Sequence, residues 1–201
     1  MRRLLLLIVL LLPAWAHAAP VLLVFGDSLA AAYGLPREEG WVALLQQRLA
    51  KEGYDYTVVN ASISGETTSG GLTRLDAALR AHRPRIVILE LGANDGLRGQ
   101  PLAATRANLI TMIASIRRSG ARALLVGMRL PPNYGPAYVQ EFETMYARIA
   151  RSQRVALVPF LFAGFADQAE FFQPDGLHPN ADAQQLALDN VWKELKALLR
   201  R

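Results

Sequence analysis

Cysteine is absent from the 201-residue sequence, so neither a disulfide framework nor a lipid-modified N-terminal cysteine is available to the chain. Long apolar runs are missing too: the unbroken stretch at residues 4–12 stops at Pro13, well short of the about twenty residues that span a bilayer. Lysine is scarce, 3 against 19 arginines, and the arginines are scattered instead of being gathered with aromatic residues into a basic platform. Nucleic acid is therefore not an expected partner. There is no H-E-x-x-H zinc motif, no P-loop, no G-x-G-x-x-G dinucleotide fingerprint and no G-x-S-x-G elbow. Histidine occurs only three times, so each one can be weighed individually.

The N-terminus carries Arg2 and Arg3, then the apolar run, then Ala16-His17-Ala18, the order of an export signal with its cleavage site. Residues 1–18 are expected to be removed, leaving a periplasmic or secreted product without a stable membrane anchor. Arg2-Arg3 does not decide the export route. Without those two arginines, 20 basic residues face 17 acidic ones, and the formal charge falls from +5 to +3. Residues 19–201 suit one domain with an ample core, since no linker or repeat divides them.

Short aliphatic runs alternate with helical periodicity. The runs are 21–25, 57–60, 86–91, 123–128 and 155–160. Between and after them Leu109, Met112, Ile113 and Ile116, then Phe142, Met145, Tyr146 and Ile149, then Leu188, Val191, Trp192 and Leu195 repeat at helical spacing, with Asn180 placed to cap the last helix. The order predicts an α/β protein, a parallel sheet covered by helices.

That order puts each polar segment after a strand, at the sheet edge where ligands bind in open α/β folds. Gly26-Asp27-Ser28-Leu29 follows the first run, residues 60–67 the second, and Gly92-Ala93-Asn94-Asp95-Gly96 the third; Asp175-Gly176-Leu177-His178-Pro179 lies beyond the fifth. Such residues are ordinary in turns, but turn chemistry explains four convergent segments less well than one. A nucleophilic serine needs a base and a group that orients the base. His17 lies in the segment expected to be removed and His82 in a basic patch at a helix end, which leaves His178 as the base for Ser28. Asp175, three residues before His178, can face the same pocket; on the residues alone a turn role for Asp175, or an acid role for Asp27, stays open.

With its four blocks at Ser28, Gly65, Asn94 and His178, the chain resembles the SGNH/GDSL hydrolases. Val59-Asn60-Ala61-Ser62-Ile63-Ser64-Gly65, Asn94-Asp95-Gly96-Leu97-Arg98-Gly99, Arg129-Leu130-Pro131-Pro132-Asn133-Tyr134-Gly135 and the Asp175 to His178 segment resemble the bacterial thioesterase I/protease I/lysophospholipase L1-like (arylesterase) subgroup. The resemblance implies a three-layer α/β/α sandwich with a five-stranded parallel sheet, the flavodoxin-like SGNH hydrolase fold. It also implies Ser28 as nucleophile, His178 as general base and then acid, Asp175 as the orienting carboxylate, and Asp27 as a shaper of the nucleophile turn. The oxyanion donors it implies are the N–H of Ser28, the N–H of Gly65 and the side-chain amide of Asn94. A monomer without metal or organic cofactor is expected. Glu66 departs from the pattern, standing where the subgroup more commonly has Asp, which puts the packing of that loop in question; Ala93 occupies a variable position.

The expected reaction is hydrolysis of carboxylic esters or thioesters, including aryl esters and lysophospholipids, through an acyl-serine. Residues 97–101, 128–134 and 160–172 are apolar enough to wall an acyl groove and fit core and loop packing equally well. By resemblance, residues 96–100 include a loop that closes over an acyl chain. Two other readings stand beside this one: a cell-envelope or carbohydrate O-deacetylase with a polar cleft, and a non-catalytic periplasmic binding protein, against which the intact Ser28, Asp175 and His178 speak.

Overall fold

The computed structural model describes residues 19–200. The expected export signal, residues 1–18, lies outside the described residues.

Five strands form one parallel sheet in the order β2-β1-β3-β4-β5: β1 (Val21–Gly26), β2 (Thr57–Asn60), β3 (Ile86–Glu90), β4 (Arg122–Val126) and β5 (Ala156–Val158). The interior strands read as continuous aliphatic runs because both faces are covered; Leu22 to Phe25 and Ile86 to Leu89 have no exposed surface. The β1-to-β2 step goes to one side of β1 and every later step to the other. Right-handed crossovers therefore put α1 (Trp41–Lys51) on one face and α2 (Thr68–His82), α4 (Leu102–Arg118) and α5 (Pro136–Gln153) on the opposite face. The last helix, α6 (Ala181–Leu195), packs beside α1, while α2, α4 and α5 pack in a row. This is the expected three-layer sandwich. The short helix α3 (Ala93–Leu97) sits at the carboxyl end of β3.

All three apolar stripes face the core: Leu109, Met112, Ile113 and Ile116 are fully buried, as are nearly all of the residues in the α5 and α6 stripes. Four strands differ from expectation at their ends, β1 by running one residue further, to Gly26. β3 stops at Glu90 because Gly92, at φ 113°, turns the chain into α3. β4 begins at Arg122 and ends at Val126, and β5 is only three residues long. Pro159 follows β5 directly and has no N–H to continue a ladder; Gly127 and Leu161 form the last bonds across that edge instead.

Asn180 caps α6 as expected, its Oδ1 accepting the N–H of Ala183 at 3.3 Å, and its Nδ2 donates to the Glu170 carbonyl at 2.6 Å. Replacing Asn180 by Ala is expected to cost about 1 kcal/mol, lowering the thermal midpoint by about 2–4 °C in a domain of this size. Calorimetry of the two proteins checks this.

Candidate active site

The sheet reverses direction of travel between β1 and β3, and the chain leaves both strands at the same edge. Immediately after Gly26, residues 27–34 coil into turns held by the bonds Ala31 N–H to Asp27 O (3.0 Å) and Tyr33 N–H to Ser28 O (3.2 Å). Ser28 stands in the first of these turns. His178, from the segment before α6, places Nε2 2.9 Å from Ser28 Oγ, and its Nδ1 lies 2.7 Å from Asp175 Oδ2. The structure thus brings Ser28, His178 and Asp175 together in the order serine, imidazole, carboxylate.

Asp175 holds its own segment in shape. Its Oδ1 accepts the N–H groups of Leu177 (2.9 Å) and His178 (3.0 Å), the turn that puts the carboxylate under the imidazole three residues later. Partial burial pushes this carboxyl up, but the N–H donors of His178 and Leu177 and the imidazole outweigh it and bring it down to about 2. Asp175 is therefore a carboxylate throughout the neutral range. Gln173 bridges the segment to the serine turn: its Nε2 donates to Tyr33 O (2.8 Å) and to Pro179 O (3.1 Å). The Tyr33 ring lies over the His178 ring at 4.4 Å between centroids.

Three N–H sources surround Ser28. Gly65 adopts φ 78°, a conformation that favours glycine, and its carbonyl is fixed by the Arg98 guanidinium at 3.0 Å. Among the described residues neither the N–H of Ser28 nor that of Gly65 has an acceptor within the protein. The Asn94 amide donates one hydrogen to Asp27 Oδ2 at 3.0 Å, which sets the orientation of the amide and leaves a second N–H on the same nitrogen. Asn94 and Gly65 line the same cleft as Ser28 and His178.

Asp27 does not reach His178 as Asp175 does; it is the turn shaper. It is fully buried and accepts the Leu29 N–H at 3.0 Å through Oδ1. Burial pushes its carboxyl up to about 6, against the lowering effect of Leu29 N–H, Asn94 and the His178 charge. Behind it lies Glu90, also fully buried, whose Oε2 accepts the Asp27 N–H at 3.3 Å. Burial and the Asp27 charge push Glu90 up as well.

Glu66 resolves its loop through Arg74. The Arg74 Nε donates to Glu66 Oε2 at 2.5 Å and Nη1 to the Ala61 carbonyl at 2.6 Å, so the guanidinium ties the Gly65 loop to α2. The longer acid has space because residue 70 is glycine; a Cβ there would lie 2.0 Å from Glu66 Oε1.

The cleft has a volume of about 1170 Å³, above the roughly 300–1,000 Å³ usual for small-molecule sites. Leu97, Leu130, Phe160, Phe162, Phe172 and Leu177 supply much of its wall. Of the three apolar segments, each contributes to the cleft, and Met128, Leu130, Phe162 and Phe165 are also buried in the core, so wall and core packing are one set of contacts. The loop at 96–100 is tied to the layer below by Tyr134 Oη donating to Leu97 O (2.9 Å) and Tyr138 Oη to Gln100 O (2.8 Å). Among the described residues no group of three or more His, Asp or Glu side chains is arranged to hold a metal ion.

Glu90, Arg98, Tyr33 and Gln173 escaped the sequence reading. A signal existed only for Glu90, the single acid in an otherwise aliphatic run; the other three act through contacts between distant loops.

A family model described as the GDSL-like Lipase/Acylhydrolase family matches residues 24–186. The chain is 53% identical over 182 residues to Esterase TesA of Pseudomonas aeruginosa, covering 90% of each protein. It is 40% identical over 193 residues to Thioesterase 1/protease 1/lysophospholipase L1 of Escherichia coli K12, covering 96% of this chain and 91% of the relative. Among solved structures, the psychrotrophic esterase EstA of a Pseudoalteromonas species, inhibited by monoethylphosphonate, superposes with a TM-score of 0.84 at 42% identity, over 88% of this chain and 97% of that one.

The raised Asp27 carboxyl predicts a pH signature. Between pH 3.8 and about 6 the folded chain holds a proton on Asp27 that the unfolded chain releases, so this group's contribution to stability declines as pH rises through that window. Asp27→Asn removes the titration. Whatever offset the substitution brings, the stability of the variant minus that of the wild type should rise by on the order of 2 kcal/mol from pH 4 to pH 7. Denaturant melts at the two pH values check it; an unchanged difference would contradict the assignment.

Proposed function

The chain belongs to the GDSL-like lipase/acylhydrolase family, and from that footing we propose that it is a serine esterase hydrolysing carboxylic esters and thioesters through an acyl-serine intermediate. The observation that carries this reading is the relay from Ser28 Oγ through His178 to Asp175, at 2.9 and 2.7 Å. In it, His178 Nε2 takes the Ser28 proton as Oγ bonds to the acyl carbon, and Asp175 stabilises the imidazolium. The oxyanion accepts the N–H groups of Ser28 and Gly65 and the free N–H of Asn94. Collapse of the tetrahedral adduct breaks the bond to the alcohol or thiol, which leaves with the proton from His178. Water, deprotonated by the same nitrogen, then releases the carboxylic acid and restores Ser28.

The aromatic and aliphatic wall of the cleft favours an acyl chain over an acetyl group, which sets the lipolytic reading above the deacetylase. Residues 1–18 serve as a cleaved export signal in this proposal, on the strength of Arg2-Arg3, the run at 4–12 and Ala16-His17-Ala18, and residues 19–201 work as a periplasmic or secreted monomer. Among the described residues no helix is long and apolar enough to cross a membrane.

Hydrolysis of p-nitrophenyl esters from acetyl to long acyl, beside a lysophospholipid, tests the proposal. Ser28→Ala should lower kcat by on the order of 10⁴-fold or more without unfolding the protein, and wild-type rates should peak beyond acetyl. Undiminished hydrolysis by Ser28→Ala would end the acyl-serine mechanism, and activity confined to acetyl esters would favour the deacetylase. In the same assay Asn94→Ala should lose about 10²–10³ in kcat.

A further inference from the structure

Glu90 is a carboxyl group that none of the hydrolytic steps touches. It ends β3 in register with Gly26 of β1. It has no exposed surface, its Oε2 accepts the Asp27 N–H, and its Oε1 has no hydrogen-bond partner. The fit around it is close: a Cβ at residue 26 would lie 2.6 Å from Glu90 Oε2 and 2.9 Å from its carbonyl, so the residue preceding Asp27 has to be glycine.

The charged and titratable groups around this carboxyl offer it no cation. From the serine turn comes Asp27, another carboxyl, within hydrogen-bonding reach. From α5 comes Tyr146, whose hydroxyl donates to the Leu91 carbonyl at 3.1 Å. From α3 comes Asp95, already held by the N–H and hydroxyl of Thr68. From α2 comes Arg74, engaged with Glu66 and the Ala61 carbonyl, donating through Nη2 to the Gly26 carbonyl at 3.5 Å, and stacked on Phe25 at 3.9 Å. The positive charge that acts on the pair is that of His178, when protonated, and it acts on Asp27. Two adjacent carboxylates without a counter-ion in a dry site are far costlier than one carboxylate and one acid.

We propose that Glu90 is a neutral carboxylic acid in the working enzyme and a positioning residue, its O–H donating to the Asp27 carboxylate, which in turn fixes the Asn94 amide and the Leu29 N–H behind the oxyanion site. This deepens the esterase reading and rests on it, because Asn94 matters only where an oxyanion forms. The donors then match the acceptors: Asp27 receives Leu29 N–H on Oδ1, Asn94 Nδ2 on Oδ2, and the Glu90 proton from behind. Removal of that proton sets two negative charges against each other, and the Asp27 carboxylate, displaced by the repulsion, no longer fixes the Asn94 amide in place. The expected result is loss of kcat at alkaline pH with little change in KM.

Glu90→Gln and Glu90→Leu test this, with infrared spectra of the wild type. Glutamine reproduces the neutral donor and acceptor but cannot ionise; leucine removes both. Glu90→Gln should keep kcat within about threefold and lose the Glu90-dependent part of the alkaline fall, while Glu90→Leu should lose about 10–100-fold in kcat, up to the value of one misplaced oxyanion donor. At about pH 7.5, where exposed carboxyls are ionised, the wild type should show the carbonyl stretch of a protonated carboxylic acid, present also in Ser28→Ala and missing in Glu90→Gln. A wild type without that band overturns the proposal, and so does a Glu90→Gln variant as impaired as Glu90→Leu. Should the variants not fold, the band in the wild type and its alkaline titration decide the charge by themselves. Absence of any Ser28-dependent hydrolysis would instead overturn the esterase reading and the positioning role with it, leaving the infrared result to decide the state of the proton.

Discussion

In the pairing of β1 with β3, Gly26 stands beside Glu90, and this register sets where the chain leaves the sheet on both sides of the reversal. Ser28 comes two residues past Gly26, and Asn94 four residues past Glu90, so the serine and the amide emerge as neighbours. The aliphatic parts of the two strands are buried on both faces and would tolerate a slip with little change in hydrophobic burial. The polar ends would not. A shift of one residue would set the Glu90 carboxyl against the Cβ of Phe25 or Asp27 where now there is glycine, and would leave the Asp27 N–H without its acceptor. Burying such a donor unpaired costs about 1–3 kcal/mol, so the polar contacts at the strand ends hold the register that the strand interiors leave loose.

The imidazole is brought to that edge by a different set of contacts. Gln184 of α6 accepts the Trp41 N–H at 3.0 Å and donates to the Pro179 carbonyl at 3.3 Å, while the Trp41 indole donates to the Leu29 carbonyl at 2.9 Å. Gln173 makes the second connection, from the His178 segment to Tyr33. Two glutamines and a tryptophan therefore join the serine turn, the start of α1 and the His178 segment. They are amide and indole groups, uncharged over the whole working range, so these three connections hold the serine turn beside the His178 segment independently of pH.

Much of this could be read in the chain because the decisive patterns are local. The aliphatic runs, the helical stripes and the Asn180 cap each lie within a few residues, and so do the Asp175 to His178 turn and the glycine of the second block. The ends of β3, β4 and β5 were not readable from hydrophobicity, since Leu91, Met128 and Phe160 are as apolar as the strands they follow; a left-handed glycine and a proline without an N–H stop the pairing. Arg98, Tyr33 and Gln173 carry no local signature because the bonds from Arg98 to Gly65 and from Gln173 to Tyr33 span 33 and 140 residues. Glu90 was visible as an oddity, but its meaning required the neighbour that the sheet supplies.

The serine and its imidazole lie 150 residues apart, at opposite ends of the folded domain's sequence, although the imidazole and its carboxylate are only three apart. A growing chain thus exposes the hydroxyl early and the base nearly last, and ring closure between them waits on the docking of α6 against α1. The entropy of that closure rises only slowly with length, but contacts of such high sequence separation form late in folding. The chain is chemically silent until its final helix is in place, so turnover itself reports that folding has run to completion.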